Sequence, residues 1–389
     1  MPISRKHVAV TVPLGDSMVA KAKEAVIQLE EARKEDAQAV WTNEDVLQGC
    51  EMSGGITNGL VLIKVDRAAR DAALSNESAD GNASVVERSD IDARKRLVRV
   101  YGVGSEELIN REAELVVVDA LHQVGLGPPL HGTFENGYVY GFTRGAVLDP
   151  PKMADAVMGL RIATHLGAFH RSDVAARVQA SGEAACAEFD PARAACFDKI
   201  RLWLARVPAA EELTRGDASK LTDMEAKLRA LDLDKVRKHV DLLEEATADC
   251  VSPETNVFSH NDLLCGNVLD DGGKAIHFID FEYAGFNPRG FDIGNHFCEY
   301  AGYDCDFSRY PSRETQLPFL RAYLGPDASD ADVDKLYAET CKFALAAHIF
   351  WGVWAIIQAR FSAIDFDYLK YAGQRFDEAW RRWDEFIRV

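Results

Sequence analysis

Three oxygen-bearing side chains near residue 270 have the types and spacing needed to move a phosphoryl group. Asp262 stands two residues after His260 and five before Asn267, and Asp280 follows the strand candidate Ala275–Ile279. Phosphoryl transfer needs a carboxylate beside the acceptor hydroxyl, oxygen ligands for Mg²⁺ and a grip on the triphosphate. Asp262 suits the first task, because a positioned carboxylate orients the hydroxyl and takes its proton. Asn267 and Asp280 suit the second, since Mg²⁺ keeps several waters and takes only one or two protein carboxylates. His260 fits a brace that hydrogen-bonds the loop better than it fits the base. Each residue alone reads as an ordinary turn or strand end. Their order, with a strand pair between and a glycine-rich strand turn upstream, is far more specific.

The spacing His260-x-Asp262-x-x-x-x-Asn267 is that of the protein-kinase catalytic loop H-R-D-x-x-x-x-N, and Asp280 stands where that motif set carries its metal-binding Asp. ATP must then be held upstream. Ser53-Gly54-Gly55, followed by Thr57 and Asn58, departs from G-x-G-x-x-G, yet between strands it can present backbone N–H groups to phosphate oxygens. In the alternating run Leu97–Tyr101, Arg99 faces away from Val98 and Val100, and its guanidinium can pair a phosphate bidentately. The bland alternative is a solvent-facing Arg on a strand. Glu114 on the following helix is its natural partner, with Glu112 a rival. The strand Tyr138–Phe142, with Tyr140 and Phe142, would pass behind adenine as the connector between lobes.

At Phe258-Ser259-His260-Asn261-Asp262-Leu263-Leu264-Cys265-Gly266-Asn267, Ile279-Asp280-Phe281-Glu282-Tyr283 and the block Arg289–Glu299, the chain resembles the choline/ethanolamine kinase family. The resemblance runs from about residue 50 to the C-terminus, skipping residues 66–95. It implies a bilobal, protein-kinase-like α+β fold with ATP and Mg²⁺ as cofactors. Asp262 would be the base, Asn267 and Asp280 the magnesium ligands, and Arg99 a phosphate contact. It also implies that Trp351, Trp354 and Tyr371 line the amino-alcohol pocket. Trp351 and Trp354 are i, i+3 on a helix, and aromatic faces attract a cation. Their spacing alone favours a core stripe on a buried helix, and the resemblance reverses that reading. Glu299 is, by the resemblance, the best placed acceptor for an ammonium group. The turn at Gly54–Asn58, the segment Ala146–Pro150 and Glu299-Tyr300-Ala301-Gly302 look closer to the ethanolamine kinases. The activity implied is phosphorylation of ethanolamine, the first step of the CDP-ethanolamine route to phosphatidylethanolamine, with choline as the alternative acceptor. An aminoglycoside-type phosphotransferase is a remoter reading, because a polycationic sugar calls for carboxylates where this chain offers tryptophans. A catalytically dead nucleotide-binding module would be expected to lack Asp262, Asn267 or Asp280.

These groups need two kinds of scaffold. Apolar periodicity predicts a helix over 16–33, strands over 60–65 and 97–101, a helix over 106–124, and a hairpin at Phe134–Tyr138 leading to the strand Tyr138–Phe142. Residues 66–95, rich in Ala, Ser, Asn, Asp and Arg and nearly free of aromatics, predict a mobile insertion. Beyond about residue 150 helices dominate, interrupted by the strand pair Asn267–Leu269 and Ala275–Ile279. The expected organisation is an antiparallel sheet lobe over 1–142 that binds nucleotide, and a larger, mostly helical lobe over 143–389 that binds the amino alcohol. The chain has 389 residues, 47% of them hydrophobic, enough for two cores around a cleft. A net charge of −18 disfavours nucleic acid and anionic lipid as partners. The eight cysteines form no C-x-x-C pair, which suits reduced thiols in the cytoplasm. The apolar stretch Phe343–Ile357, broken by His348, reads as too short to span a bilayer. A homodimer is left open.

Overall fold

Short alternating segments build a sheet in the first part of the chain, and apolar stripes at helical spacing build the rest. The computed structural model describes residues 6–32, 47–52, 58–65, 95–182, 189–214, 216–362 and 364–389. It divides into two compact units, Met1–Ser105 with Leu121–Arg144, and Glu106–Ala120 with Gly145–Val389. Apart from Lys95, the insertion expected at 66–95 lies outside the described residues.

The first unit runs β1 (His7–Val8), α1 (Met18–Ala32), β2 (Leu47–Met52), β3 (Asn58–Val65) and β4 (Lys95–Tyr101). After α2 (Arg111–Gln123), part of which belongs to the second unit, come β5 (Leu130–Phe134) and β6 (Gly137–Gly141). The helix expected over 106–124 starts late because Asn110 stops it upstream, its Oδ1 accepting from the Ala113 N–H at 3.2 Å. The strands form one sheet in the order β1-β5-β6-β4-β3-β2. It is antiparallel except at one edge, where β1 runs parallel to β5. The N-terminal segment is drawn there by burying Val8, Val10 and Val12 in the core beneath α1. Met18, Ala22, Ala25, Val26 and Leu29 of α1 share that core with Val61, Ile63, Val98, Val100 and Val139 of the sheet. The odd-numbered positions of β4, Arg99 among them, are thereby turned to the opposite face.

The second unit carries β7 (Ala146–Val147), α3 (Ala156–His170), α4 (Ala195–Leu204) and α5 (Leu233–Ala246). Next come β8 (Asn256–Ser259), β9 (Val268–Asp270), β10 (Ile276–Phe278) and β11 (Gly285–Pro288). The chain closes with α6 (Arg289–Cys298), α7 (Arg313–Leu324), α8 (Asp330–Phe361) and α9 (Tyr368–Arg388). The expected hairpin is β9 with β10, Val268 opposite Phe278, extended by β7. The ladder β8–β11 was not expected from the sequence, where glycine and proline mask the alternation of Gly285-Phe286-Asn287-Pro288. Pro288 is tolerated because it ends the strand.

The apolar stretch judged too short for a bilayer belongs to α8, which at 32 residues is long and apolar enough to cross one. Of its most apolar window, 94% is buried inside the protein, against α6, α9 and their neighbours. The approach of α6 to α8 depends on Gly294, where an added Cβ would lie 2.8 Å from both the Ala344 nitrogen and the Thr340 carbonyl oxygen. That close pairing sets α6 and α8 side by side under the loop that follows β8.

Candidate active site

The segment after β8 is held in an unusual shape by one buried acid. Asp292, on α6, is fully buried and accepts the backbone N–H of His260 at 2.7 Å and of Asn261 at 2.8 Å. His170 of α3 adds its Nε2 at 2.9 Å, while its Nδ1 meets the Tyr323 hydroxyl at 2.8 Å. Burial alone would push the Asp292 carboxyl up, but the His170 hydrogen bond and charge and the nearby His260 hold it below the usual carboxylate range. Asn261 has φ +66 and Asp280 φ +63, left-handed conformations that cost non-glycine residues energy unless neighbours fix them. Asn261 is fixed on every side. Its amide donates to the Tyr283 carbonyl at 2.9 Å, and its Oδ1 accepts from Asn287 on β11 at 2.8 Å.

His260 is a brace, as its position suggested. Its Nδ1 accepts from the Asp262 N–H at 3.3 Å, so Nε2 carries the proton and donates to the Ile279 carbonyl at 2.8 Å. Burial lowers its pKa and keeps the ring neutral. This bond ties the Asp262 loop to the residue before Asp280.

Asp262 and Asn267 come together: the Asn267 amide donates to the Asp262 carbonyl at 2.8 Å and to its Oδ2 at 3.1 Å. That orientation turns Asn267 Oδ1, a hard donor, away from Asp262. Burial, then the like charges of Glu299, Asp280 and Glu282, push the Asp262 carboxyl well above the usual range, with the Asn267 hydrogen bond opposing. These acids lie near enough to Asp262 for their charges to be felt there, but among the described residues no three His, Cys, Asp or Glu side chains converge as a metal-ligand cluster. Glu282 is partly balanced by Arg111 at 3.2 Å, which also reaches Glu114 at 2.8 Å.

The aromatic residues of α8 back onto the same loop. Trp351 and Trp354, each 5% exposed, have ring centroids 5.4 Å apart. Trp351 Nε1 donates to Asn295 at 2.7 Å, and Asn295 in turn donates to the Asn261 carbonyl at 3.3 Å. Trp354 Nε1 donates to the Tyr283 hydroxyl at 2.8 Å. Both indole N–H groups are therefore spent on partners of Asn261, leaving ring edges and faces for other contacts. Tyr368 lies 6.0 Å from Trp354 and 4.9 Å from Phe366, which lies 5.6 Å from Tyr371. Tyr371 also neighbours Tyr303 at 6.5 Å and the Arg375 guanidinium at 5.6 Å. Glu299, the expected ammonium acceptor, accepts from Arg375 Nη1 at 3.1 Å.

The expected nucleotide residues fall on the first unit's sheet, except Glu114. Asn58 pairs with Tyr101, Arg99 with Tyr138, and Leu97 with Tyr140, so Asn58, Arg99 and Tyr140 share the face opposite α1. Arg99 is buried rather than solvent-facing. Phe142, just past β6, has Lys95 Nζ 4.2 Å from its ring centroid. Glu114 belongs to the second unit and is buried, whereas its rival Glu112 is exposed. Ser53, Gly54, Gly55 and Thr57 lie outside the described residues.

Sequence reasoning missed Asp292, Tyr283, Asn295, Tyr303 and Arg375. Two carried a signal: Asp292 is an acid inside an apolar helix, and Arg375 interrupts the buried stripe Tyr371, Ala372, Phe376, Ala379 of α9. Ionic groups in such stripes are almost always paired for a reason.

The profile of the choline/ethanolamine kinase family matches residues 50–380. A protein of Arabidopsis thaliana named "Probable ethanolamine kinase" is 37% identical over 336 residues, covering 84% of this chain and 77% of that one. Among solved structures, an ethanolamine kinase of Plasmodium vivax superposes with a TM-score of 0.68 at 24% identity, over 96% of this chain and 98% of that one. A choline kinase of Cryptosporidium parvum Iowa II gives 0.66 at 22% identity, over 93% and 96%. These two share the fold.

Proposed function

This chain belongs to the choline/ethanolamine kinase family, and on that premise we propose that Asp262, Asn267 and Asp280 carry transfer of the ATP γ-phosphoryl group to the hydroxyl of ethanolamine. The product is phosphoethanolamine, the entry to the CDP-ethanolamine route, and choline is the alternative acceptor. The observation that carries the assignment is Asp262 itself, buried among like charges and oriented by Asn267. In our reading Asp262 takes the hydroxyl proton. Asn267 Oδ1 and Asp280 fit Mg²⁺ by donor type, and that ion would neutralise charge on the phosphates. Arg99, Asn58 and Tyr140, on one face of the sheet, and Phe142 just past β6 are assigned to the nucleotide.

The ammonium of the acceptor is assigned to Trp351, Trp354 and Tyr371, each such contact contributing roughly 0.5–2 kcal/mol. Ethanolamine brings three N–H donors that choline replaces with methyl groups. Choline would leave the Glu299 oxygen that Arg375 does not hold desolvated and unpaired, at about 1–3 kcal/mol. This favours ethanolamine.

Phosphorus NMR of a reaction with MgATP and ethanolamine should show a new phosphomonoester; ATP consumed without one would remove the proposal. Asp280→Ala is expected to abolish that signal at any Mg²⁺ concentration, with Mn²⁺ restoring part of it, because the remaining oxygen ligands suit both ions. An unchanged Mg²⁺ dependence in the variant would contradict the metal assignment.

A further inference from the structure

A second cation sits at the acceptor site and belongs to the protein. Arg375 is 1% exposed, on the buried face of α9 four residues after Tyr371. Its Nη1 donates to Glu299 Oε1 at 3.1 Å, and the guanidinium stands 5.6 Å from the Tyr371 ring centroid. Its Nε and Nη2 have no hydrogen-bond acceptor among the described residues. A buried guanidinium with one carboxylate partner costs more in desolvation than it returns in stability, so stability alone does not account for it. Glu299 explains its use. This residue closes α6 and opens a 3₁₀ turn, Glu299–Ala301, where the carboxylate has no helix to hold it. Arg375 secures one of its oxygens and leaves the other free of that bond, while the Glu299 charge is felt at both Asp262 and Tyr371.

We propose that Arg375 is a positioning residue that, by holding Oε1 of Glu299, aims Oε2 at the amino group of the acceptor. The inference rests on the amino-alcohol kinase reading above. Arg375 does not touch the substrate; it acts through Glu299.

The test is a double-mutant cycle in steady-state kinetics with ethanolamine and MgATP. Arg375→Met should raise KM for ethanolamine roughly 10- to 100-fold through misplaced Glu299, with a smaller fall in kcat and KM for ATP unchanged. Arg375→Lys, which keeps the charge but not the fork, should recover part of the loss. The pair Arg375→Met with Glu299→Gln should be no worse than Glu299→Gln alone, because the first acts only through the second. Additive losses, an unchanged ethanolamine KM, or a parallel rise in KM for ATP would overturn the proposal. If Arg375→Met does not fold, Arg375→Lys decides. Its smaller KM rise must vanish in the Glu299→Gln background, and a persistent rise, or none at all, overturns the proposal. A wild type that fails to phosphorylate ethanolamine removes the functional reading and this inference together. A wild type that succeeds while the cycle fails removes this inference alone.

Discussion

Replacing Asp262 with Asn is expected to lower kcat for ethanolamine by roughly 10²–10⁴-fold, the usual worth of a positioned general base. The fold should not suffer. An Asn at 262 still offers an oxygen to the Asn267 amide, and the backbone bond from Asn267 to the residue 262 carbonyl is untouched. Removing the Asp262 charge relieves the repulsion that Glu299, Asp280 and Glu282 exert on it. The melting temperature should therefore stay level or rise while turnover collapses, and ATP binding measured by titration calorimetry should be retained. A variant that kept more than about a tenth of wild-type kcat would fall outside the range for a lost base, and Asp262 would not be one.

The largest effect on stability is expected at Asp292. Asp292→Asn keeps the volume but places an amide where two backbone N–H groups and His170 need acceptors. Leaving such buried donors unpaired should cost about 2–5 kcal/mol. It should also release Asn261 from its left-handed conformation, so activity falls even where the protein remains folded. The pH dependence has a definite sign. Asp292 is depressed in the folded state below the ordinary value of 3.8, so its contribution is fully present above 3.8 and is lost as pH falls through the depressed value. Urea denaturation of wild type and variant should thus give a constant difference from neutral pH down to about 4–5, shrinking only at lower pH. A difference under about 1 kcal/mol at pH 7 would mean that Asp292 does not anchor the loop.

What could be read from sequence was the chemistry that is local. Asp262, Asn267 and Asp280 are close along the chain, linked by a hairpin whose turn residues announce it, so their spacing carried their relation. That Trp351 and Trp354 are neighbours was legible because a helix puts i, i+3 residues on one face, whereas their assignment to the acceptor came from the family resemblance. The support of the site was not legible, because tertiary packing assembles it. Asp292 meets His170 across 122 residues, and Trp354 meets Tyr283 across 71. No periodicity marks such pairs. Arg375 reaches Glu299 across 76 residues. A charge on the apolar face of a helix does not announce its own burial when the partner lies so far along the chain. The β8–β11 ladder escaped for a different reason: glycine and proline in Gly285–Pro288 outweigh its alternation, and only pairing with β8 makes it a strand. The apolar stretch Phe343–Ile357 is only part of α8, whose upstream turns carry polar residues such as Glu339 and Thr340 that interrupt the apolar run. Both are buried, and the Glu339 carboxylate accepts the Gly290 N–H at 2.8 Å.

Steady-state kinetics with saturating MgATP, varying ethanolamine and choline in parallel, test the account most directly. Both should be phosphorylated in one site, competing with each other, and kcat/KM should be higher for ethanolamine by roughly tenfold or more, the worth of a buried acceptor left unpaired by methyl groups. Phosphoryl transfer to neither amino alcohol, or a higher kcat/KM for choline, would contradict it.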